Sequence, residues 1–383
     1  MIYLDNAATS WPKPESVRQA IVEALDQYGA NPGRSSHQMA IQTAEMIYRT
    51  RAGLARLVNG DSPERIVFCT NATDALNLAI FGLVRPGDKV VTSSMEHNSV
   101  RRPLRRMQDL GAEVITVQTE RSGVVDPAAI RAVADGAKLI AITHGSNVNG
   151  AVQPVAEIGR IAREVGALLL IDAAQTIGAM PIDVRAMQID LLAFPGHKSL
   201  LGPSGTGGLY IGERVNVAEL EPLHAGGTGL RSEDDIQPLE LPYRYESGTV
   251  NTLGIAGLAA GLKHVMTLGI EQIQAHHTES RARLAAGIAE SGATMFEPPM
   301  GAADVVSFDI PGWQPADVGS VLDQAFGIAC RTGLHCAPGA CATIGAGPNG
   351  TIRFSPGLTT TGEEIDAAIE AVAAIASEAM VRS

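Results

Sequence analysis

The sequence Phe194-Pro195-Gly196-His197-Lys198 places a lysine just after a short apolar run, beside a glycine that favours a turn. The run itself, residues 190–194, is bounded by turn residues and predicts a buried strand. A lysine at the end of a buried strand loses part of its hydration. Burial lowers the pKa of the amine and makes it a usable nucleophile for a carbonyl group.

A second apolar run, residues 167–171, predicts another buried strand, and Asp172 stands at its carboxyl end. A carboxylate and a lysine on neighbouring strand ends suit pyridoxal 5'-phosphate (PLP). The lysine would bind the cofactor covalently, and the acid would keep the ring nitrogen protonated. From these two residues alone, an ordinary buried ion pair between Asp172 and Lys198 is an equally good interpretation.

The bulk composition limits the class of protein. A chain of 383 residues is long enough for two domains that share a large core. Its net charge of −12 argues against a nucleic-acid surface and gives an acidic membrane nothing to attract. No apolar run approaches the ~20 residues of a membrane span, and residues 1–6 lack a secretory signal pattern. Four cysteines without a Cys-x-x-Cys pair predict free thiols, a cytoplasmic location and no metal site.

Strand and helix patterns alternate from residue 65 to residue 211, which predicts an α/β fold with a mostly parallel sheet flanked by helices. Beyond residue 250 the pattern changes to two long helices, 253–268 and 270–291, followed by mixed strands and helices. We therefore predict a large domain over residues 15–250 and a smaller α+β domain formed by residues 1–14 and 251–383. The predicted strands of the large sheet cover residues 65–70, 89–92, 113–117, 138–143, 167–171, 190–194 and 207–211.

Polar residues follow five successive predicted strands, where ligands of parallel sheets bind. Ala72 and Thr73 begin a helix whose first amides could hold a phosphate, although plain capping by Thr73 is the alternative. His97 could stack on a flat ring or be an ordinary loop histidine. The other polar residues at these strand ends are Asn147, Asp172, Gln175 and Lys198.

A polar loop precedes the second helix of the chain. It reads Asn31-Pro32-Gly33-Arg34-Ser35-Ser36-His37 and is rich in turn formers. The spacing predicts Ser35 or Ser36 as the N-cap of the long helix that follows. Such loops often border sites, but a plain connector is an equally good interpretation.

A second chemical centre is predicted in Arg331-Thr332-Gly333-Leu334-His335-Cys336-Ala337-Pro338. An arginine and a histidine near a cysteine favour the thiolate, and glycine and proline predict a loop that leaves the thiol reachable. An inert structural cysteine is the alternative. Arg353 lies in an apolar strand and requires a buried carboxylate, from the protein or from a substrate. Cys69, Cys330 and Cys341 are predicted to be structural.

Taken together, these segments make the chain resemble the cysteine desulfurase / selenocysteine lyase family, within the class V aminotransferase group of fold-type I PLP enzymes. The form Arg-Thr-Gly-x-His-Cys-Ala is similar to that of the group II desulfurases. The matching segments are Tyr3-Leu4-Asp5-Asn6-Ala7-Ala8-Thr9, Asn31-Pro32-Gly33-Arg34-Ser35, Asn71-Ala72-Thr73-Asp74-Ala75-Leu76-Asn77, Glu96-His97-Asn98, Ser146-Asn147-Val148-Asn149-Gly150, Asp172-Ala173-Ala174-Gln175, Gly196-His197-Lys198, Gly202-Pro203-Ser204-Gly205, Glu246-Ser247-Gly248-Thr249 and residues 331–338.

The resemblance implies a role for each matching position. Lys198 would carry the cofactor and act as a base, Asp172 would pair with the ring nitrogen and His97 would stack on the ring. Cys336 would take the sulfur. Further cofactor contacts are implied for Ala72, Thr73 and His197 at the phosphate and for Asn147 and Gln175 near the phenolic oxygen, while Arg353, Asn31 and Arg331 are implied to bind the substrate.

The resemblance also implies a homodimer with a shared site, in which Thr249 of the partner subunit reaches the phosphate. Three positions depart from the family pattern. Pro195 replaces a frequent phosphate-binding serine, Val250 replaces a frequent proline, and Leu358-Thr359-Thr360 replaces an aromatic–asparagine pair.

The expected activity is PLP-dependent removal of sulfur from L-cysteine, which yields L-alanine and a persulfide on Cys336 for an unknown acceptor protein. L-Selenocysteine is the alternative substrate. A β-elimination or transamination on the same scaffold would leave Cys336 dispensable. A catalytically silent sulfur-relay or scaffold protein is a further alternative, against which Lys198 and Asp172 both speak.

Overall fold

The computed structural model describes residues 1–32, 36–231, 233–298 and 301–382 of the chain. Two sheets with their flanking helices account for most of the secondary structure. The strands, in chain order, are β1 (Ile2–Tyr3), β2 (Ile66–Cys69), β3 (Lys89–Ser93), β4 (Glu113–Val117), β5 (Ala137–Thr143), β6 (Leu168–Asp172), β7 (Leu191–Pro195), β8 (Gly207–Ile211), β9 (Thr294–Met295), β10 (Val306–Asp309), β11 (Ile328–Ala329), β12 (Arg331–Gly333) and β13 (Thr351–Phe354).

The helices surround both sheets. In chain order they are α1 (Glu15–Glu23), α2 (Gln38–Leu57), α3 (Ala72–Leu83), α4 (Asn98–Asp109), α5 (Pro127–Val133), α6 (Val155–Val165), α7 (Thr252–Leu268), α8 (Ile270–Glu290), α9 (Pro315–Phe326), α10 (Pro338–Ile344) and α11 (Gly362–Arg382).

The large sheet has seven strands in the order β2-β8-β7-β6-β5-β3-β4. Strands β7, β6, β5, β3 and β4 run parallel, which confirms the predicted α/β fold. Strand β8 is antiparallel to both of its neighbours, β2 and β7, a pairing that the local sequence pattern did not predict. The carboxyl ends of the parallel strands therefore lie along one edge of the sheet.

Both faces of this sheet are covered by helices, which explains why its strands are apolar without interruption. Alternate side chains of a strand point to opposite faces. In β5, Ile140 and Ile142 pack into a core that also contains residues of α2, α6 and α7. Leu139 and Ala141 pack instead with residues of α3 and α4.

The smaller sheet is antiparallel and has the order β12-β13-β10-β9. Its core joins Phe308 and Phe354 of the sheet to apolar residues of α8, α9 and α11. Strand β1 runs parallel to β11 at the side of this unit, with Ile2 opposite Ile328. The first residues of the chain thus pack beside the smaller sheet, where Leu4 joins its core.

Helix α7 lies at the predicted domain boundary. Its residues Leu258 and Leu262 belong to the core of the large sheet. Helices α7 and α8 meet at an angle of 82° beside Gly269. We therefore propose a boundary near Gly269 rather than at residue 250. Within the described residues no single helix could span a membrane, and α7 with α8 would meet the length and composition requirements only as that bent pair.

Two local expectations are wrong. The N-cap of α2 is His37, whose Nδ1 accepts a hydrogen bond from the Ala40 N–H at 3.3 Å, and not Ser36. The alternative, Ser35, lies outside the described residues. The segment that begins at Arg331 is not a loop throughout, because Arg331–Gly333 forms β12 beside β13.

A buried ion pair holds the segment that precedes Thr249 against α2 and β2 of the large domain. Arg51 of α2 pairs with both carboxylate oxygens of Glu246, with 2.6 Å between Nη1 and Oε1, and both side chains are buried. The Phe68 N–H of β2 donates to the same Oε1 at 2.6 Å. The carboxylate therefore joins a helix, a strand and a distant loop.

We predict that Glu246→Ala lowers the free energy of unfolding by about 3–5 kcal/mol, because it leaves a buried guanidinium unpaired. Urea titration followed by circular dichroism measures this change. The matched control is Glu45→Ala, which removes an exposed partner of Arg49 and is expected to have a much smaller effect. Equal effects of the two substitutions would contradict the prediction.

Candidate active site

A cavity of about 230 Å³ opens at the carboxyl edge of the parallel strands. It is lined by residues of the large domain, by Ala7 and Ala8 of the N-terminal segment, and by Arg331 of β12 and Arg353 of β13. Most of the site residues predicted from the sequence meet here. Those that line the cavity are Ala72, Thr73, His97, Asn147, Asp172, Gln175, His197, Lys198, Arg331 and Arg353.

Asp172 and Lys198 face the same cavity from neighbouring strands. Asp172 ends β6, is buried, and accepts a hydrogen bond on Oδ1 from the Ala174 N–H at 2.9 Å. Burial raises the pKa of its carboxyl group, while that N–H and the charge of Lys198 oppose the rise. Burial also lowers the pKa of Lys198 to about 8, against the opposing effect of Asp172. This is the desolvated amine predicted from the sequence.

The N-terminus of α3 forms one wall of the cavity. Asn71 caps the helix by accepting a hydrogen bond on its side-chain oxygen from the Asp74 N–H at 2.9 Å. The Thr73 hydroxyl lies 2.7 Å from the Ser99 hydroxyl. The first N–H groups of a helix have no intrahelical acceptor, so this wall suits an anion such as phosphate. Pro195 also lines the cavity and brings no hydroxyl group.

His97 is positioned by the start of α4, which it caps. Its Nδ1 accepts a hydrogen bond from the Ser99 N–H at 3.1 Å. Burial, reinforced by the positive charges of Lys198 and Arg331, lowers the pKa of His97 to about 4. The imidazole is therefore neutral at pH 7, which suits a ring that packs against another ring rather than against an anion.

Glu96, for which the sequence analysis gave no role, is fully buried behind His97. The Ser93 hydroxyl donates to its Oε1 at 2.6 Å. Burial, reinforced by the charge of Asp172, raises the pKa of Glu96 to about 8. The available sequence signal for a role of Glu96 was its position shortly after the buried strand β3. Its carboxyl group is mostly neutral at pH 7 and adds no second full negative charge beside Asp172.

The loop that carries Lys198 is fastened by the N-terminal segment. Lys13 donates through Nζ to the His197 carbonyl at 2.6 Å, and the Ser10 N–H donates to the same carbonyl at 3.2 Å. The His197 Nδ1 lies 3.1 Å from the Thr9 hydroxyl. Burial lowers the pKa of Lys13 to about 8 and that of His197 to about 4. The sequence analysis missed the part played by Ser10 and Lys13, for which the rigid Trp11-Pro12-Lys13-Pro14 link was the only signal.

Arg353 is completely buried in β13. Its Nη2 lies 2.7 Å from Asp5 Oδ1, and its Nη1 donates to the Asn147 carbonyl at 2.9 Å. The protein thus supplies a carboxylate for Arg353, although the Asp5 side chain is partly exposed rather than buried, and the sequence analysis did not name Asp5. The remaining N–H, on Nε, has no hydrogen-bond acceptor within the described residues.

Two amides connect the cavity to its surroundings. Asn147 donates through Nδ2 to the His335 carbonyl at 2.7 Å, so the cavity wall holds the segment next to Cys336. Gln175 donates through Nε2 to the Ala7 carbonyl at 3.1 Å. Both amides therefore join the large domain to segments that pack with the small one.

Cys336 does not itself line the cavity. Its side chain is exposed, its backbone has φ 58°, and its carbonyl accepts from the Asn98 N–H at 2.8 Å. Arg331 donates through Nη2 to Cys336 Sγ at 3.3 Å and also lines the cavity. The contact with Arg331 therefore connects the thiol to the cavity wall.

The prediction that His335 favours the thiolate of Cys336 is wrong. His335 is buried, and its Nε2 lies 2.9 Å from the Thr351 hydroxyl rather than near the thiol. Burial lowers the pKa of His335 to about 3, so at pH 7 it brings no positive charge to Cys336. The two neighbouring side chains lie in different surroundings, since His335 is buried and Cys336 is exposed.

The other three cysteines lie in different surroundings. Burial raises the pKa of Cys330 to about 12 and that of Cys341 to about 11, and it also raises the pKa of Cys69. A raised pKa keeps a thiol protonated and unreactive. Of the four cysteines, Cys336 alone is exposed.

Asn31 and Thr249 are exposed and do not line the cavity. Asn31 donates through Nδ2 to the Thr249 hydroxyl at 3.3 Å. Their predicted roles at the substrate and at the phosphate stay predictions. In the part of the chain that the structure describes, no group of three or more metal-ligating side chains comes together.

Comparisons with known proteins agree with this geometry. Residues 2–368 match the family model of the class-V aminotransferases. The chain is 40% identical over 370 residues to a probable cysteine desulfurase of Methanothermobacter thermautotrophicus, covering 95% of this chain and 92% of the relative. It is 35% identical over 385 residues to a probable cysteine desulfurase of Pyrococcus abyssi, covering 96% and 92% of the two chains.

Two solved structures share the fold over nearly the whole chain. The apo cysteine desulfurase of Thermococcus onnurineus NA1 superimposes with a TM-score of 0.93 at 33% identity, covering 98% of this chain and 95% of that one. The cysteine desulfurase CsdA of Escherichia coli gives a TM-score of 0.84 at 28% identity, with coverages of 99% and 94%.

The lowered pKa of Lys198 has a measurable consequence. We predict that acetylation of Lys198 in cofactor-free protein is half-maximal near pH 8 rather than near 10.5, because the amine loses its proton at the lower pH. Peptide mapping after labelling across pH 6–11 measures the midpoint. Asp172→Asn removes a charge that raises this pKa, so its midpoint is expected below pH 8. A wild-type midpoint above pH 10 would contradict the prediction.

Proposed function

The chain belongs to the class-V aminotransferase family, and we propose that it is a PLP-dependent cysteine desulfurase. In this proposal it removes the sulfur of L-cysteine, releases L-alanine and holds the sulfur as a persulfide on Cys336. The observation that carries the proposal is the contact between Arg331 and Cys336, since Arg331 also lines the cavity that contains Lys198 and Asp172.

The donor set of the cavity fits PLP. Lys198 supplies an amine that is partly neutral at pH 7, and Asp172 supplies a buried carboxylate for the ring nitrogen. Ala72 and Thr73 offer helix N-terminal amides to the phosphate, and neutral His97 offers a flat face. When bound, PLP supplies an electron sink for the substrate α-carbon.

The cationic wall of the cavity suits the carboxylate of an amino acid. Among the described residues the Nε–H of Arg353 finds no acceptor, although Asp5 and Asn147 bind its other nitrogens. Arg331 brings a second guanidinium to the same cavity. Lys198 can take the proton of the α-carbon, because a base with a pKa near the working pH is the most effective.

Cys336 then receives the sulfur. Its thiolate attacks the substrate Sγ, so a sulfur–sulfur bond forms while the Cβ–Sγ bond breaks. The electron pair of the broken bond stays with the carbon, which takes up a proton as L-alanine leaves. An acceptor thiol later collects the outer sulfur and returns Cys336 to a thiol.

We also propose a cytoplasmic homodimer in which Thr249 of the partner subunit reaches the phosphate. Support comes from Asn31 and Thr249, which are exposed and contact each other outside the cavity of their own chain. The physiological acceptor of the sulfur is a further protein, whose chemistry is considered below.

L-Selenocysteine is the second candidate substrate, because the same cavity would hold it and the carbon–selenium bond is weaker than the carbon–sulfur bond. Release of L-alanine from each amino acid, with and without a thiol acceptor, compares the two. A β-elimination or transamination would use Lys198 without Cys336. A silent scaffold would need neither Lys198 nor Asp172, yet both line one cavity.

We predict that Cys336→Ala lowers both L-alanine release and persulfide formation by about 100-fold or more in the holoenzyme, since the sulfur acceptor is removed. Amino-acid analysis and mass spectrometry of the intact protein measure the two products. The control is Cys341→Ala, which removes a buried thiol in α10 and is expected to keep most of the activity. Unchanged turnover of Cys336→Ala would refute the desulfurase function and favour β-elimination or transamination.

A further inference from the structure

Helix α4, which begins beside the loop of the reactive thiol, is strongly basic in an acidic protein. It contains Arg101, Arg102, Arg105 and Arg106 and a single acid, Asp109, whereas the whole chain carries a net charge of −12. We propose that this arginine face docks an acidic surface of the protein that accepts sulfur from Cys336. The proposal rests on the proposed function, because it concerns the step that follows persulfide formation.

The helix of the arginine face is joined to the segments on both sides of Cys336. The N–H of Asn98, the first residue of α4, donates to the Cys336 carbonyl at 2.8 Å. A Cβ built on Gly339 would lie 3.0 Å from Arg101 Nη1, so this guanidinium packs on the first turn of α10. The charge of Arg102 contributes to the lowered pKa of His97 on the other side of the loop. A partner that reaches Cys336 therefore meets these cations.

The four guanidinium groups are available to a partner. All four arginines are exposed. Arg105 pairs with exposed Asp109 at 2.8 Å, and Arg106 lies over the Phe81 ring at 5.3 Å. For Arg101 and Arg102, no ion pair is present among the residues that the structure describes. Two positive charges thus face the solvent without a compensating acid.

The like charges of the helix are only partly compensated. Arg101 and Arg105 are four residues apart, as are Arg102 and Arg106, and like charges at this spacing repel each other. Asp109 compensates Arg105, and Phe81 packs against Arg106, whereas Arg101 and Arg102 have no ion pair among the described residues. The anchoring of α4 comes from Val100, Leu104 and Met107, which are buried in the core. Two uncompensated cations beside the loop of Cys336 point to recognition.

The arginine face also borders a groove of about 510 Å³ between α4, α10 and strand β4. Arg101 and Arg105 line one side, and Thr116 and Gln118 line the other. Strand β4 is the last strand of the large sheet, so one of its edges is not paired within that sheet. The groove has room for an extended acidic segment of a partner.

The size of the arginine face favours a protein rather than a small thiol as its binding partner. A helix of 12 residues extends for about 18 Å, well beyond the length of a single amino acid. The negative charge of the rest of the chain opposes a nucleic acid. We therefore expect an acceptor whose cysteine is surrounded by aspartate and glutamate.

The test follows sulfur transfer to two synthetic peptides of equal length, each with one central cysteine. One peptide carries flanking Asp and Glu residues, and the other carries flanking Lys residues. Holoenzyme loaded with persulfide on Cys336 is mixed with each, and mass spectrometry records the transfer rate. At about 50 mM ionic strength we expect the acidic peptide to react at least ~10-fold faster, and about 500 mM salt should largely remove the difference.

The double variant Arg101→Glu with Arg105→Glu is expected to abolish or invert the preference for the acidic peptide. The matched control is Arg56→Glu with Arg160→Glu, which changes the net charge equally on α2 and α6, across the sheet from α4. This control should keep the wild-type preference. Both variants should release L-alanine at the wild-type rate when dithiothreitol is the acceptor.

Several outcomes would overturn the proposal. These are equal wild-type rates with the two peptides, a preference that survives in the Arg101/Arg105 variant, and tighter binding of a single-stranded oligonucleotide than of the acidic peptide. A changed oligomeric mass of that variant would assign the face to contacts between copies of the chain. Failure of wild-type enzyme to release L-alanine with dithiothreitol would refute the proposed function instead, and fluorescence anisotropy with the labelled acidic peptide would still test the docking.

Discussion

The lowered proton affinity of Lys198 beside a buried carboxylate is the constraint on which the rest of the site depends. For Lys198 to lie beside Asp172, strands β6 and β7 must end at the same level. The register of the two strands, with Asp172 opposite Ala193, provides this alignment. A hydrated amine would stay protonated at pH 7 and would be a poor nucleophile. The large apolar core under these strands therefore contributes to the chemistry of the site, because it limits the hydration of the Lys198 amine.

The first thirteen residues contact both Arg353 of the small domain and the loop that carries Lys198. Asp5 holds Arg353 of the small domain, and the Ala7 N–H donates to Ser355 Oγ at 2.9 Å. A few residues later, Lys13 binds the carbonyl beside Lys198. A short segment therefore sets the position of Arg353 relative to the loop that carries Lys198.

The sequence predicted what depends on local pattern and missed what depends on distant pairing. Apolar runs ending in polar residues identified the parallel strands and most of the cavity wall, because each strand delivers its own last residue. The antiparallel β8 and the short strand at Arg331–Gly333 depend on partners far along the chain. His335 was misjudged for a related reason, since its ring is buried beside Thr351, a residue of β13 further along the chain.

The anchoring of Cys336 by the Asn98 N–H, on two successive left-handed residues, leaves the thiol little freedom to travel. In the proposed function, an acceptor protein would therefore have to bring its own thiol to Cys336. Its shape and charge around that thiol would then decide which acceptor receives the sulfur.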